Sequence, residues 1–134
     1  LIIGLGNDLI NIDRIEKTLT RFGERFTKRV FTDDEILRSE SRKKSVESYA
    51  KRFAAKEATT KALGTGLSNG VYFKDIGVIN NNLGKPSILL TGGAKERLNK
   101  IMPNKHKALI NLTITDDYPW AQAIVIIEAI KGND

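Results

Sequence analysis

The spacing of apolar residues changes period along the chain, and each change predicts an element. Leu1 to Leu5 is a short apolar run that predicts a buried strand, with Gly4 and Gly6 permitting close approach at its end. From Asn11 to Phe22, Ile12, Ile15 and Leu19 recur at helical spacing and predict a helix with one buried stripe. Thr32-Asp33-Asp34-Glu35 has the form of a capping box, which predicts a helix through about Ser39. A polar, basic loop, Ser39 to Ser45, separates it from a central helix over Val46 to Leu63. There Phe53, Ala54, Ala58 and Leu63 fall near helical spacing, alanine favours helix, and Gly64 and Gly66 supply the stop.

Beyond Gly66 the pattern turns to strands. Asp75 to Asn80 and Lys85 to Leu90, joined by the turn residues Asn81 to Gly84, predict a hairpin. Pro86 is tolerated at a strand start. Thr91-Gly92-Gly93 opens a predicted helix from Ala94 to about Met102, which Pro103 and Asn104 end. Ala108 to Thr115 alternates, Ala121 to Ile130 is nearly continuously apolar, and Asp116 to Pro119 makes the turn between them. No repeat or linker interrupts the series, so a single domain over residues 1–134 is expected. Strands and helices are partly segregated, which predicts an α+β fold with a mostly antiparallel sheet packed against the long central helix.

Composition narrows the chemistry. With 134 residues, 40% hydrophobic and 28% charged, the chain is globular rather than disordered. It has no cysteine and one histidine, His106, in a polar loop-like stretch where no role is assigned to it. Disulfide, thiolate and structural zinc chemistry are therefore set aside. No GxGxxG after a strand, P-loop or HExxH is present. No apolar run approaches the roughly 20 residues of a membrane span, and LIIGLG is too short for a signal-peptide core. A cytoplasmic protein with no membrane partner is expected. The net charge of +6 suits an anionic partner without choosing among nucleotide, acidic protein and nucleic acid.

Candidate chemistry centres on RFAAKEATTKALGTG, Arg52 to Gly66. Glu57 and Lys61 lie one turn apart on one helix face, a spacing that also occurs on ordinary solvated faces. Asp8 is expected just past the first strand, where a strand end can direct a carboxylate at a hard cation; a capping or turn role is the competing reading. Two carboxylates with basic neighbours suit magnesium shared with a substrate phosphate. Arg14, Lys17, Arg21 and Arg25 give the first helix a basic surface, either solvated or docking an acidic partner. Lys51, Arg52 and Lys56 make the early turns of the central helix positive as well.

These residues carry a family resemblance. GNDLINIDRIE resembles the N-terminal signature of holo-[acyl-carrier-protein] synthases, and RFAAKEATTKALGTG their central one. NNLGKPSILL resembles the family's hairpin, and TITDDYPWAQAIVIIE its closing strand pair, all in the expected order. Asp116 stands where many members have His, and Trp120 where the aromatic is usually Tyr. The resemblance implies a 4′-phosphopantetheinyl transferase-like fold. It implies transfer of 4′-phosphopantetheine from coenzyme A to a serine hydroxyl of apo acyl carrier protein in fatty acid biosynthesis, releasing adenosine 3′,5′-bisphosphate. It also implies a homotrimer with clefts between subunits. On this reading Asp8 and Glu57 hold magnesium, Lys61 meets the phosphates of coenzyme A, and Glu57 or a metal-bound water is the base. Lys51, Arg52 and Lys85, with Pro86, are candidates for the 3′-phosphate and adenine end, and Thr113 and Thr115 for the phosphates. Arg14, Arg21 and Arg25 would face the acidic carrier protein.

Two other readings use the same residues. A basic nucleic-acid-binding module needs aromatics among its cations, whereas Tyr118 and Trp120 are expected away from the basic helices. A magnesium-dependent phosphohydrolase would use the same carboxylates with water as nucleophile.

Overall fold

The computed structural model describes residues 1–132. In chain order the elements are β1 (Ile2–Asn11), α1 (Ile12–Phe22), α2 (Glu24–Val30), α3 (Asp33–Glu40) and α4 (Ser45–Ala62). A 3-10 turn (Phe73–Asp75) then leads into β2 (Ile76–Asn80), β3 (Pro86–Leu90), α5 (Gly92–Ile101), β4 (His106–Asp117) and β5 (Trp120–Lys131). β1, β5 and β4 form one antiparallel sheet in that order, and β2 and β3 form a second. This is the predicted α+β arrangement.

Helix α4 is the shared core element. Ala54, Ala55, Ala58 and Ala62 are buried in one cluster with Ala123, Val125 and Ile127 of β5, Val78 of β2 and Leu98 of α5. Nearer its start, Tyr49 and Ala50 join Ile12 and Ile15 of α1 and Phe31 in a second cluster. Alanine lets the sheet come close. A Cβ on Gly4 would lie 2.1 Å from the Ala62 carbonyl oxygen, and one on Gly6 1.8 Å from that of Ala58. β1 and α4 therefore meet backbone to backbone, which only glycine permits.

The sheet has two unlike faces. Gly4, Gly6 and Asp8 of β1 alternate toward α4, while Leu5, Asn7 and Leu9 point away. On that outer face Leu5, Ile126 and Asn111 lie in one cross-strand row, Asn7, Ile124 and Thr113 in the next, and Leu9, Gln122 and Thr115 in a third. Asn7 accepts from Gln122, and Asn111 donates to Glu128. No element of the described chain covers this face, and Leu5 and Leu9 are 64% and 58% exposed.

Several expectations are corrected. β1 extends to Asn11, so Asp8 is a strand residue rather than one beyond a five-residue strand; pairing with β5 continues past Leu5. Asn11 caps α1 by accepting from the Asp13 amide. Helix α2 was not predicted; Gly23, at φ 52°, isolates seven residues too short to show a period. His106 begins β4, with its ring Nδ1 2.7 Å from the Asn104 carbonyl, rather than lying in a loop. Of the cations on the early turns of α4, Arg52 and Lys56 are buried, at 6% and 0% exposed. Tyr118 does not lie away from the basic helices, because its hydroxyl donates to Asp13 of α1.

Candidate active site

Asp8 reaches the site from β1, and Glu57 and Lys61 from α4. Together with Arg14, Ile15 and Thr18 of α1, Phe26 of α2 and Phe53 of α4, they line a cleft of about 440 Å³. The predicted i, i+4 pair is not the ion pair formed. Lys61 Nζ lies 3.1 Å from Asp8 Oδ1 and donates to the Asn7 carbonyl at 2.9 Å. The Glu57 carboxylate has no ion-pair partner among the described residues. Burial pushes its pKa above the ordinary carboxylate value, the neighbouring Asp8 charge pushes it the same way, and Lys61 opposes both.

No group of three or more metal-type side chains is present among the described residues. Two converging carboxylates with a cation already drawn to one of them do fit a hard divalent ion that completes its sphere with water and substrate oxygens. In phosphate sites magnesium takes one or two protein carboxylates, with substrate oxygens and water for the rest.

A second cavity, about 680 Å³, opens along the start of α4. Arg38, Arg42, Lys43, Lys44, Lys51 and Arg52 line it against two acids, Glu47 and Asp116. Lys51 and Asp116 approach to 3.9 Å. Arg52 is held by neutral groups: it donates to Ser48 Oγ at 2.6 Å and to Asn80 Oδ1 at 3.2 Å. Its Nε is buried without a partner, and burial lowers its pKa. A desolvated guanidinium paired only with neutral groups, on a cationic wall, invites an anion. Pro86 lines this cavity; Lys85 is exposed on the turn beside it.

The remaining predicted residues divide. Arg14 lines the Asp8 cleft, while Arg21 and Arg25 place their guanidinium carbons 5.1 and 5.9 Å from the exposed Phe22 ring. Thr113 and Thr115 are not brought to the cleft of their own chain; they lie on the open face of the sheet, opposite Asp8. Sequence reasoning missed Phe26 and Phe53 as cleft walls and the Arg38 to Lys44 residues as cavity lining. The charge run Arg42-Lys43-Lys44 was the signal available for the latter; Phe26 lies on the helix that had no period.

The model of the 4′-phosphopantetheinyl transferase superfamily matches residues 4–123. The holo-[acyl-carrier-protein] synthase of Agrobacterium fabrum is 62% identical over 133 residues, 99% of each chain. Among solved structures, that of holo-[acyl-carrier-protein] synthase from Neisseria meningitidis superposes with a TM-score of 0.84 at 34% identity, covering 96% of this chain and 99% of that one. The Bacillus anthracis holo-(acyl-carrier-protein) synthase, solved in complex with CoA (3′,5′-ADP), gives 0.76 at 34% identity, covering 96% and 97%. The chain belongs to the 4′-phosphopantetheinyl transferase superfamily. It is an enzyme of the holo-[acyl-carrier-protein] synthase type, with coenzyme A as co-substrate.

Proposed function

We propose that the chain transfers 4′-phosphopantetheine from coenzyme A to a serine hydroxyl of apo acyl carrier protein through the cleft of Asp8, Glu57 and Lys61. The observation that carries this assignment of roles is the meeting of a strand carboxylate, a helix carboxylate and a helix ammonium in one half-open cleft, with Arg14 at its wall. Asp8 and Glu57 would hold magnesium, which when bound would supply neutralisation of charge on the coenzyme A pyrophosphate. Glu57 would take the proton of the serine hydroxyl. The serine oxygen bonds to phosphorus, and the bond to the departing adenosine 3′,5′-bisphosphate breaks. Lys61 faces the phosphates on which that charge collects.

The cationic cavity beside Arg52 and Pro86 takes the 3′-phosphate and adenine end, with Lys51 and Lys85 at its margin. The exposed Arg21–Phe22–Arg25 cluster and Arg14 dock the acidic carrier protein. The uncovered sheet face supports a homotrimer, since a second copy is the occupant that makes Thr113 and Thr115 useful: they serve a neighbour's cleft. Residues 1–134 act as one domain, in the cytoplasm, in fatty acid biosynthesis. No helix among the described residues is long and apolar enough to cross a membrane.

Mass spectrometry of apo carrier protein incubated with the enzyme, coenzyme A and magnesium tests the reaction. A gain of one phosphopantetheine is expected. Coenzyme A cleaved with the carrier unmodified identifies a phosphohydrolase instead. Light scattering of the active species checks the trimer, and an active monomer overturns it.

A further inference from the structure

We infer that Lys61 changes partner during the cycle: its ammonium closes Asp8 in the free enzyme and releases it when the phosphates of coenzyme A arrive. This rests on the reading of Asp8 and Glu57 as the magnesium site.

Both hydrogen bonds of the Lys61 ammonium go to β1, at the Asn7 carbonyl and at Asp8 Oδ1. A positive charge thus already stands against one of the two carboxylates. The Asp8 side chain is 16% exposed and fixed on a strand, whereas that of Lys61 is 52% exposed, so the lysine is the partner free to leave. With Lys61 in place, Asp8, Glu57 and Lys61 sum to a charge of −1; with Lys61 elsewhere the pair of carboxylates presents −2. Magnesium dehydrates reluctantly and binds weakly to a single available carboxylate. A pyrophosphate offers Lys61 a more highly charged acceptor within the same cleft. Its arrival frees Asp8 and supplies further oxygen ligands in one event. Metal and coenzyme A then bind cooperatively, with the lysine as the coupling element, and each tightens the other to the same degree.

Mn²⁺ binding, read from the free-ion signal in electron paramagnetic resonance, tests this without turnover. Without coenzyme A, Lys61→Met is expected to bind Mn²⁺ at least about tenfold more tightly than the wild type, equivalent to about 1.4 kcal/mol. Adding Asp8→Asn to it is expected to remove the gain. Equal affinity of Lys61→Met and wild type overturns the partner change and leaves the metal site standing. With coenzyme A added, absence of Mn²⁺ binding by both proteins beyond what coenzyme A binds alone overturns the metal site as well. A second measurement uses the unaltered enzyme: the Lys61 ammonium resonance in NMR is expected to move when magnesium and coenzyme A are both added, and to stay nearly fixed with magnesium alone. A resonance unmoved by the pair overturns the proposal.

Discussion

Two of the three lysines of helix α4, Lys56 and Lys61, lie five residues apart and so about 140° around the axis from each other. The first is fully enclosed. Its ammonium lies 2.7 Å from Glu35 Oε1 and donates to the carbonyls of Phe73 and Ile76. Glu35 is satisfied in turn, accepting from the amides of Thr32 and Val78. Every donor of Lys56 is used, and the pair ties α3 to α4 and β2. The second lysine is half-exposed, spends two bonds on β1, and keeps capacity for a ligand. The two differ in how completely the fold satisfies them: a lysine with all its donors used holds structure, and one with a donor to spare stands ready for substrate.

The strongest way to break this contrast lies on the open side. Asp8→Asn and Glu57→Gln are each expected to lower the transfer rate by about 10³-fold or more, the scale of losing a charge-stabilising group. Their unfolding midpoints are expected to stay near the wild type, as checked by urea titration at fixed protein concentration. Comparable loss of stability would place these carboxylates with Glu35 instead. The enclosed side is broken by Lys56→Met. It strands the Glu35 carboxylate in the core and is expected to cost about 3–5 kcal/mol of stability. A small cost in the same titration would mean that Glu35 is easily neutralised or hydrated.

A smaller effect is expected at the docking helix. Arg14→Glu with Arg21→Glu is expected to lower kcat/KM for carrier protein about tenfold and to flatten its salt dependence, since rim charges act on association. Coenzyme A binding, measured by calorimetry, is expected to change little in Arg21→Glu alone, since Arg21 lies outside the cleft that Arg14 lines. The smallest effect concerns pH. Burial and Asp8 push the pKa of Glu57 up in the metal-free enzyme, so without magnesium its carboxyl is expected to take up a proton above the ordinary carboxylate range, as read by NMR titration. Lys61 opposes the shift, so in metal-free Lys61→Met the same carboxyl is expected to titrate at higher pH than in the wild type. A raised carboxylate pKa favours the folded state at low pH, and that contribution is lost as pH rises through the folded value. Glu57→Gln is therefore expected to be neutral or slightly stabilising at neutral pH.

Much of this layout was legible in the amino-acid pattern, because local signals agreed with tertiary ones. The capping box at Thr32 and Glu35 forms as its spacing predicts, and α4 stops where Gly64 and Gly66 allow. The hairpin turns at Asn81 to Gly84. What was not legible depended on distant partners. Nothing in AKEATTK distinguishes Lys56 from Lys61, since burial of the first is decided by Glu35 and by two carbonyls after α4. The i, i+4 rule correctly placed Glu57 and Lys61 on one face and still misassigned the ion pair, because Asp8 and the Asn7 carbonyl offer two acceptors together. The face on which Thr113 and Thr115 lie follows from register, which β4 takes from β5.

The glycine contact between β1 and α4 bears on how variants of this chain are interpreted. Gly4 and Gly6 carry no reacting atom, yet any side chain at either would collide with the carbonyls of Ala62 and Ala58. The strand that bears Asp8 would then be pushed off the helix that bears Glu57. A genetic screen for lost activity would therefore score these two glycines as severely as the carboxylates themselves, though they act only by setting the distance across which those carboxylates meet.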